Sequence, residues 1–204
     1  MSKILNNFPL FPIGVIVLPG EIQPLHVFEP RYKQLIGEMK GSGKVFGIPF
    51  IKDGKMCEYG SAVVLHKILA TSPSGEMDIL VRGVYLFRIK DIKEQLPQKL
   101  YGGGSVEVLD QLNEKVSDKL SEKYRTYKEQ LASINSQKST ELTAEHPNQV
   151  LDIAGQLPLD IEEKYEMIKS ASTQQREQFL LEKLEFLLMI NKKLEEVGYR
   201  FYLN

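Results

Sequence analysis

The distribution of glycine and proline most strongly limits what this chain can fold into. The chain has 15 glycines, and all but Gly155 and Gly198 lie at or before Gly104; seven of the 10 prolines precede Pro97. These turn-forming residues alternate with short runs rich in Val, Ile, Phe and Tyr, which is typical of short β-strands. Because glycine and proline also disfavour the interior of a long helix, the first half of the chain is predicted to form a sheet.

The turn residues divide the first 110 residues into short strands interrupted by one helix. The predicted strands span Phe8–Pro12, Ile13–Leu18, Gln23–Val27, Val45–Phe50, Gly60–Leu69, Glu76–Arg82, Val84–Asp91 and Ser105–Asp110. Pro30 suits the first position of a helix, where its missing N–H costs nothing. Apolar residues then repeat at helical spacing from Tyr32 to Met39, so a short helix is predicted here.

Beyond residue 110 the apolar residues recur at helical spacing instead. Apolar stripes run through residues 116–134 and 150–157. Asp160 and Ser172 are each followed three residues later by Glu or Gln, a pattern that starts a helix with a capping box. The predicted fold is therefore α+β. A small β-barrel-like domain covers residues 1–110, and a helical subdomain covers residues 111–204.

Composition narrows the functional classes. The chain carries 26 basic and 27 acidic residues, a net charge of −1, whereas proteins that bind a phosphate backbone usually have a basic surplus. The single cysteine, Cys57, allows neither an intramolecular disulfide nor an all-cysteine metal site, which fits a reducing compartment. No apolar run approaches the roughly 20 residues that span a bilayer, and the N-terminus lacks a signal-peptide pattern. We expect a cytoplasmic protein that does not bind a membrane.

No catalytic signature is present. Gly102, Gly103 and Gly104 lack the lysine of a phosphate-binding loop, and the chain contains neither G-x-S-x-G nor H-E-x-x-H. The three histidines are dispersed, so neither a metal nor a cofactor is expected. One enzymatic alternative stays open, with Cys57 as a thiol nucleophile and His26 or His66 as its base. The simpler interpretation makes Cys57 a small hydrophobic residue.

A basic surface on the barrel is the sequence feature that favours nucleic acid as a partner. Seven basic residues fall in one stretch: Lys52, Lys55, Lys67, Arg82, Arg88, Lys90 and Lys93. Six acidic residues lie among them and largely cancel the charge: Asp53, Glu58, Glu76, Asp78, Asp91 and Glu94. A solvated face of mixed charge is the favoured interpretation.

Several motifs together resemble a known family. The N-terminal stretch FPLFPIGVIVLPGEIQPLHVFEPRY contains Leu18-Pro19-Gly20, Pro24-Leu25, Phe28 and Glu29-Pro30-Arg31-Tyr32. Further motifs are Gly60-Ser61-Ala62, Leu80-Val81-Arg82-Gly83, Phe87-Arg88-Ile89 and the tail LPLDIEEKYEMIKSASTQQREQFLLEKLEFLL. In order and spacing they are similar to the N-terminal domain of Lon protease, also called the Lon substrate-binding domain.

The resemblance implies a PUA-like β pseudobarrel followed by helices, and it covers nearly the whole chain. The ATPase module and the Ser-Lys protease module of full Lon proteases have no counterpart in this sequence. The resemblance therefore implies a non-enzymatic polypeptide-binding or adaptor module, with a link to protein quality control. Its partners would be unfolded or exposed hydrophobic polypeptide segments, or a partner protein. The alternative is an RNA-binding module, since PUA-like barrels include RNA binders.

The motif residues supply the candidate site. The candidate polypeptide contacts are Leu18, Pro19, His26, Phe28 and Tyr32. They would line a groove between the barrel and the helical half, or an exposed apolar patch. The competing interpretation places Leu18, Phe28 and Tyr32 in the core.

Three charged residues are assigned a structural role. Glu29 is expected to pair with Arg31 or Arg82 and so clamp the short helix to the barrel. The sequence leaves open the identity of the partner and the oligomeric state.

Overall fold

The computed structural model describes residues 3–109, 115–134, 149–170 and 172–201. The predicted boundary between residues 110 and 111 lies outside the described residues, and the division into two domains there stays a prediction.

Six strands form one antiparallel sheet. They are β1 (Ile4–Pro9), β2 (Ile22–Val27), β3 (Val45–Lys52), β4 (Lys55–Thr71), β5 (Met77–Lys93) and β6 (Gly103–Val108). The strand order is β1-β6-β5-β4-β3, and β2 pairs with the first part of β5, on the edge that β6 occupies farther along. The two predicted strands Glu76–Arg82 and Val84–Asp91 are thus one long strand, with Gly83 inside it.

Five helices are found in the described residues. They are α1 (Pro30–Met39), α2 (Asp118–Ile134), α3 (Val150–Ala154), α4 (Ile161–Lys169) and α5 (Thr173–Phe201). The predicted proline start of α1 is confirmed, and so is the capping box of α4. There the Asp160 N–H donates to the Glu163 carboxylate and the Glu163 N–H donates to the Asp160 carboxylate, each at 2.8 Å. The predicted α+β fold with a C-terminal helical region is confirmed.

The chain after β1 closes the sheet on itself. The Leu10 N–H donates to the Gly102 carbonyl (3.1 Å), and the Phe11 N–H donates to the Gly47 carbonyl (2.7 Å). The Ile51 N–H in turn donates to the Ile13 carbonyl (3.3 Å). This segment therefore continues the pairing of the edge strand β1 with the start of β6 and then reaches β3, the opposite edge strand, which converts an open sheet into a barrel.

The predicted strand Ile13–Leu18 is wrong, because among these residues only Ile13 pairs with a neighbour, at its bridge with Phe50. Side chains replace the missing ladder partners. The buried Ser61 hydroxyl accepts from the Val17 N–H (2.9 Å), and the Glu21 carboxylate accepts from the Leu18 N–H (2.9 Å). Burial of this backbone is tolerated because its polar groups keep partners.

This crossing segment, residues 10–21, separates two cores. Val17 packs with α1 and the inner face of the sheet, whereas Ile16 and Leu18 pack with the helices of the second half. The Lys164 ammonium of α4 pairs with the Glu21 carboxylate and so attaches the helical region to the segment. The barrel and the helices thus share a continuous interface.

Gly83 is required where the crossing segment meets β5. A Cβ at this position would lie 2.0 Å from the Leu18 carbonyl oxygen, which is backbone and cannot move aside. We predict that Gly83→Ala lowers the free energy of unfolding by about 1–3 kcal/mol, measured by urea denaturation. The matched control is Gly37→Ala in α1, where nothing lies within 4 Å; it should be neutral or stabilising, by up to about 1 kcal/mol. Equal effects at both positions would contradict the role given to Gly83.

Candidate functional site

A groove of about 550 Å³ opens at one end of the barrel, between α1 and the connection from β5 to β6. Its volume lies in the range of natural ligand sites. The groove is lined by Leu10, Pro12, Arg31, Tyr32, Met56, Ile92, Lys93, Glu94, Gln95, Leu100, Gly102 and Gly103. No residue of the helical half lines it, so it is not the groove that the sequence predicts between the barrel and the helices. That interface is filled by the core around Leu18.

Apolar and polar groups line the groove in nearly equal share, and two of the apolar residues are open to solvent. Ile92 is 48% exposed and Leu100 is 57% exposed, which leaves them available to a ligand. On the opposite side, the Tyr32 ring is buried against Phe11, with ring centroids 4.1 Å apart. Burial raises the pKa of Tyr32, so its hydroxyl stays neutral.

The wall that carries Leu100 is anchored to α1 by polar contacts. The Glu38 carboxylate accepts from Lys99 Nζ (2.8 Å) and from the Tyr101 hydroxyl (2.7 Å). Gln34 Oε1 accepts from the Leu100 N–H (2.8 Å). We call these contacts the Glu38 strap. The strap fixes the two walls of the groove relative to each other before any ligand arrives.

Charged groups form the rim. Arg31 Nε donates to Glu29 Oε2 (2.8 Å), and its guanidinium carbon lies 4.6 Å from the centre of the Tyr32 ring. Lys93 Nζ donates to the neutral Asn7 amide oxygen (2.8 Å), so its charge is not cancelled by that contact. The groove is therefore bordered by charges of both signs.

The predicted contact residues are dispersed in the structure. Of the five, only Tyr32 lines the groove. Leu18 is fully buried and Pro19 is buried beside it, so neither is accessible to a ligand, which corrects their predicted role. Phe28 is 57% exposed and stacks on His26 at 6.0 Å, away from the groove lining. The alternative of a core position is correct for Leu18 and Tyr32 and wrong for Phe28.

The predicted clamp differs from the contacts found. Glu29 pairs with Arg31, but both residues belong to the start of α1, so the pair cannot attach the helix to the barrel. Arg82 is exposed on β5, opposite Ile22 in register, and has no ion pair among the described residues. The Glu38 strap makes the connection that was expected of these residues.

Among the described residues, no histidine lies beside the Cys57 thiol as a nucleophile would require. Cys57 packs half-buried against the helical core, next to Tyr165, whose pKa is raised to about 12 by burial and by its proximity to Cys57. His66 lies nine residues farther along the same strand, about 30 Å of extended chain. His26 lies on β2, and its Nδ1 atom is 2.8 Å from Asp78 Oδ1. Neither histidine is placed to act as the base for Cys57.

Two broader features are also missing from the described residues. His, Cys, Asp and Glu side chains do not gather there in groups that could hold a metal ion. In the same residues, no helix is both long enough and apolar enough to cross a membrane.

Sequence reasoning missed most of the groove. Met56, Ile92 and Leu100 are single apolar residues in polar surroundings, which gives no periodic signal. The one available hint was Leu100, an apolar residue directly before Tyr101 and the triple glycine.

Comparison with known families shows to which family the chain belongs. The family model described as the substrate-binding domain of ATP-dependent protease La (Lon) matches residues 7–185. The chain belongs to the Lon substrate-binding domain family. A comparison with curated protein sequences finds no match.

Solved structures of this family share the fold. A Lon N-terminal domain protein from Xanthomonas campestris is 20% identical, with a TM-score of 0.59 over 92% of this chain and 98% of that one. The N-terminal domain of Lon protease from the Mycobacterium avium complex is 16% identical, with a TM-score of 0.59 over 90% of this chain and 98% of that one. Within the 204 residues only the substrate-binding domain is found, with no ATPase or protease domain.

The Glu38 strap makes a testable contribution to stability. Hydrogen bonds from Lys99 and Tyr101 hold the pKa of Glu38 below its ordinary 4.5. Because the folded pKa is lowered, the stabilisation is complete above about pH 5 and is lost as the pH falls through the folded pKa. We predict that the difference in free energy of unfolding between the wild type and Glu38→Gln is largest near pH 6 and shrinks below pH 4.5. A difference that stays constant from pH 6 to pH 3 would contradict the strap.

Proposed function

We propose that this domain is a non-enzymatic polypeptide-binding module that holds an extended apolar segment in the groove at the end of its barrel. The observation that supports this most directly is the exposure of Ile92 and Leu100 beside the ordered wall formed by Tyr32. Exposed apolar side chains lining a concave, pre-formed site are the usual mark of a binding surface. The family to which the chain belongs is described as substrate-binding, which supports the same function.

The size and openness of the groove fit an extended chain rather than a folded one. An extended polypeptide advances about 3.3 Å per residue and points alternate side chains to opposite sides, so every second side chain faces the walls. Covering the exposed halves of Ile92 and Leu100 would contribute on the order of 1 kcal/mol each. Such binding is weak for one segment and reversible, as a module that handles many different chains requires.

The groove also shows which partners it favours. Its lining includes the apolar side chains of Met56, Ile92 and Leu100, so unfolded or exposed hydrophobic segments of proteins are the favoured ligands, and a partner protein could offer the same kind of segment. The link to protein quality control, in which the domain presents such segments to other components, belongs to this proposal. The groove residues include no thiol and no histidine, which fits binding without bond cleavage.

RNA is the alternative partner, and ion pairs reduce the basic surface that it would need. Lys52 pairs with Glu162, Arg88 pairs with Glu58, and Lys90 pairs with Glu107. Phosphate binding relies on cations that are free to release counterions, so each of these pairs weakens the case for RNA. Polypeptide is therefore the better-supported ligand.

The test is the affinity for a fluorescently labelled, permanently unfolded polypeptide (reduced and carboxymethylated), measured by anisotropy. We expect Leu100→Glu to weaken binding about tenfold, because a carboxylate would be desolvated against the apolar wall. The matched control is Leu69→Glu on β4, a leucine that is 53% exposed and outside the groove lining; it should bind within about twofold of the wild type.

Three outcomes would contradict the proposal. The first is the absence of binding to unfolded polypeptide by the wild type. The second is an equal loss in both leucine variants, which would place the contact elsewhere. The third is tighter binding of a labelled single-stranded RNA, with a steep salt dependence, which would favour the RNA alternative.

A further inference from the structure

The outward face of α5 carries four regularly spaced residues that are exposed to solvent. Glu182, Phe186, Met189 and Lys193 are spaced by four, three and four residues, so they form one stripe along the helix. Phe186 is 51% exposed and Met189 is 49% exposed, and both charged residues are also exposed. We call these four residues the α5 stripe.

The other side of α5 accounts for the contacts within the chain. Leu180 and Leu184 are fully buried in the helical core, and Asn191 is buried on the same side. Neighbouring charges are already paired, Glu185 with Lys123 and Lys183 with Glu163. The stripe is therefore not needed to hold α5 in place.

The two charged ends of the stripe have no ion pair among the described residues. Glu182 Oε1 accepts only from the neutral Gln178 amide (2.7 Å), and the Lys193 ammonium is exposed on the last described turns. A shallow depression of about 580 Å³ adjoins the acidic end, beside Phe179 and Glu182. The stripe thus has an acidic end, two apolar residues and a basic end.

We propose that the α5 stripe is a self-association surface, which binds the same stripe of a second copy of this chain in antiparallel orientation. A two-fold axis between residues 187 and 188 places Glu182 opposite Lys193 of the second copy. The same axis places Phe186 opposite Met189 of the second copy. This single axis gives each of the four residues a partner in the second copy, as an isologous interface requires.

The order of the charges selects the second copy and its orientation. A parallel pairing would place Glu182 against Glu182 and Lys193 against Lys193, which is repulsive at both ends. Antiparallel pairing makes both ends attractive and covers the two apolar residues of each copy. Because one helix face buries less than the roughly 1,200 Å² of a standard interface, the dimer is weak and forms at high protein concentration.

The test is analytical ultracentrifugation of the full chain at low salt, with charge-reversal variants. The wild type should dimerise reversibly, whereas Glu182→Lys and Lys193→Glu should each weaken self-association at least about tenfold, because each places like charges together at both ends. An equimolar mixture of the two variants should dimerise again, since every contact in the mixed dimer joins opposite charges. The double variant should also dimerise.

The matched control is Lys192→Glu, which makes the same change in net charge one position off the stripe and should behave as the wild type. Unchanged thermal melting of each variant shows that the fold is retained, which is expected since the substituted side chains are exposed. A wild type that stays monomeric up to about 1 mM would overturn the proposal. So would a Lys192→Glu effect equal to that of Lys193→Glu, or a mixture that stays monomeric.

Discussion

The structure depends on the crossing segment, residues 10–21, which closes the sheet without being a strand. Its backbone bonds reach Gly102 on one side and Gly47 on the other, and its side chains alternate between two cores. Val17 faces α1, whereas Ile16 and Leu18 face the helical region. Both the barrel and its attachment to the helices therefore depend on about a dozen residues.

Closure is possible because the sheet offers places where two backbones can approach. At Gly103 of β6 an added Cβ would lie 2.6 Å from the Phe8 carbonyl oxygen, so a side chain there would push β1 away from β6. The same closure brings Leu10 and Pro12 to the end of the barrel, next to the chain that leaves β5. The groove is thus a direct consequence of how the barrel closes, and the Glu38 strap then fixes its width.

The local signals in the sequence predicted the elements well. Pro30 and Asp160 mark helix starts because their effects on the backbone are confined to one turn. The family resemblance rested on motif order, which reflects the whole fold. The predicted strand Ile13–Leu18 within the crossing segment is wrong. Its apolar residues look like those of a strand, but its backbone N–H groups donate to side chains, those of Ser61, 44 residues from Val17, and of Glu21, three residues after Leu18.

The site was less predictable than the fold, and for a physical reason. A conspicuous motif such as that around Leu18 is as compatible with burial as with binding, and the structure shows burial. Leu100 becomes a wall residue only because Glu38 and Gln34, more than 60 positions earlier, hold its loop.

The most direct measurement is methyl NMR of the full chain, titrated with an extended apolar peptide. The largest shifts are expected at Leu10, Met56, Ile92 and Leu100, with Leu69 unchanged; largest shifts at Leu69, or in the methyl groups of α5, would contradict a polypeptide-binding groove at this end of the barrel.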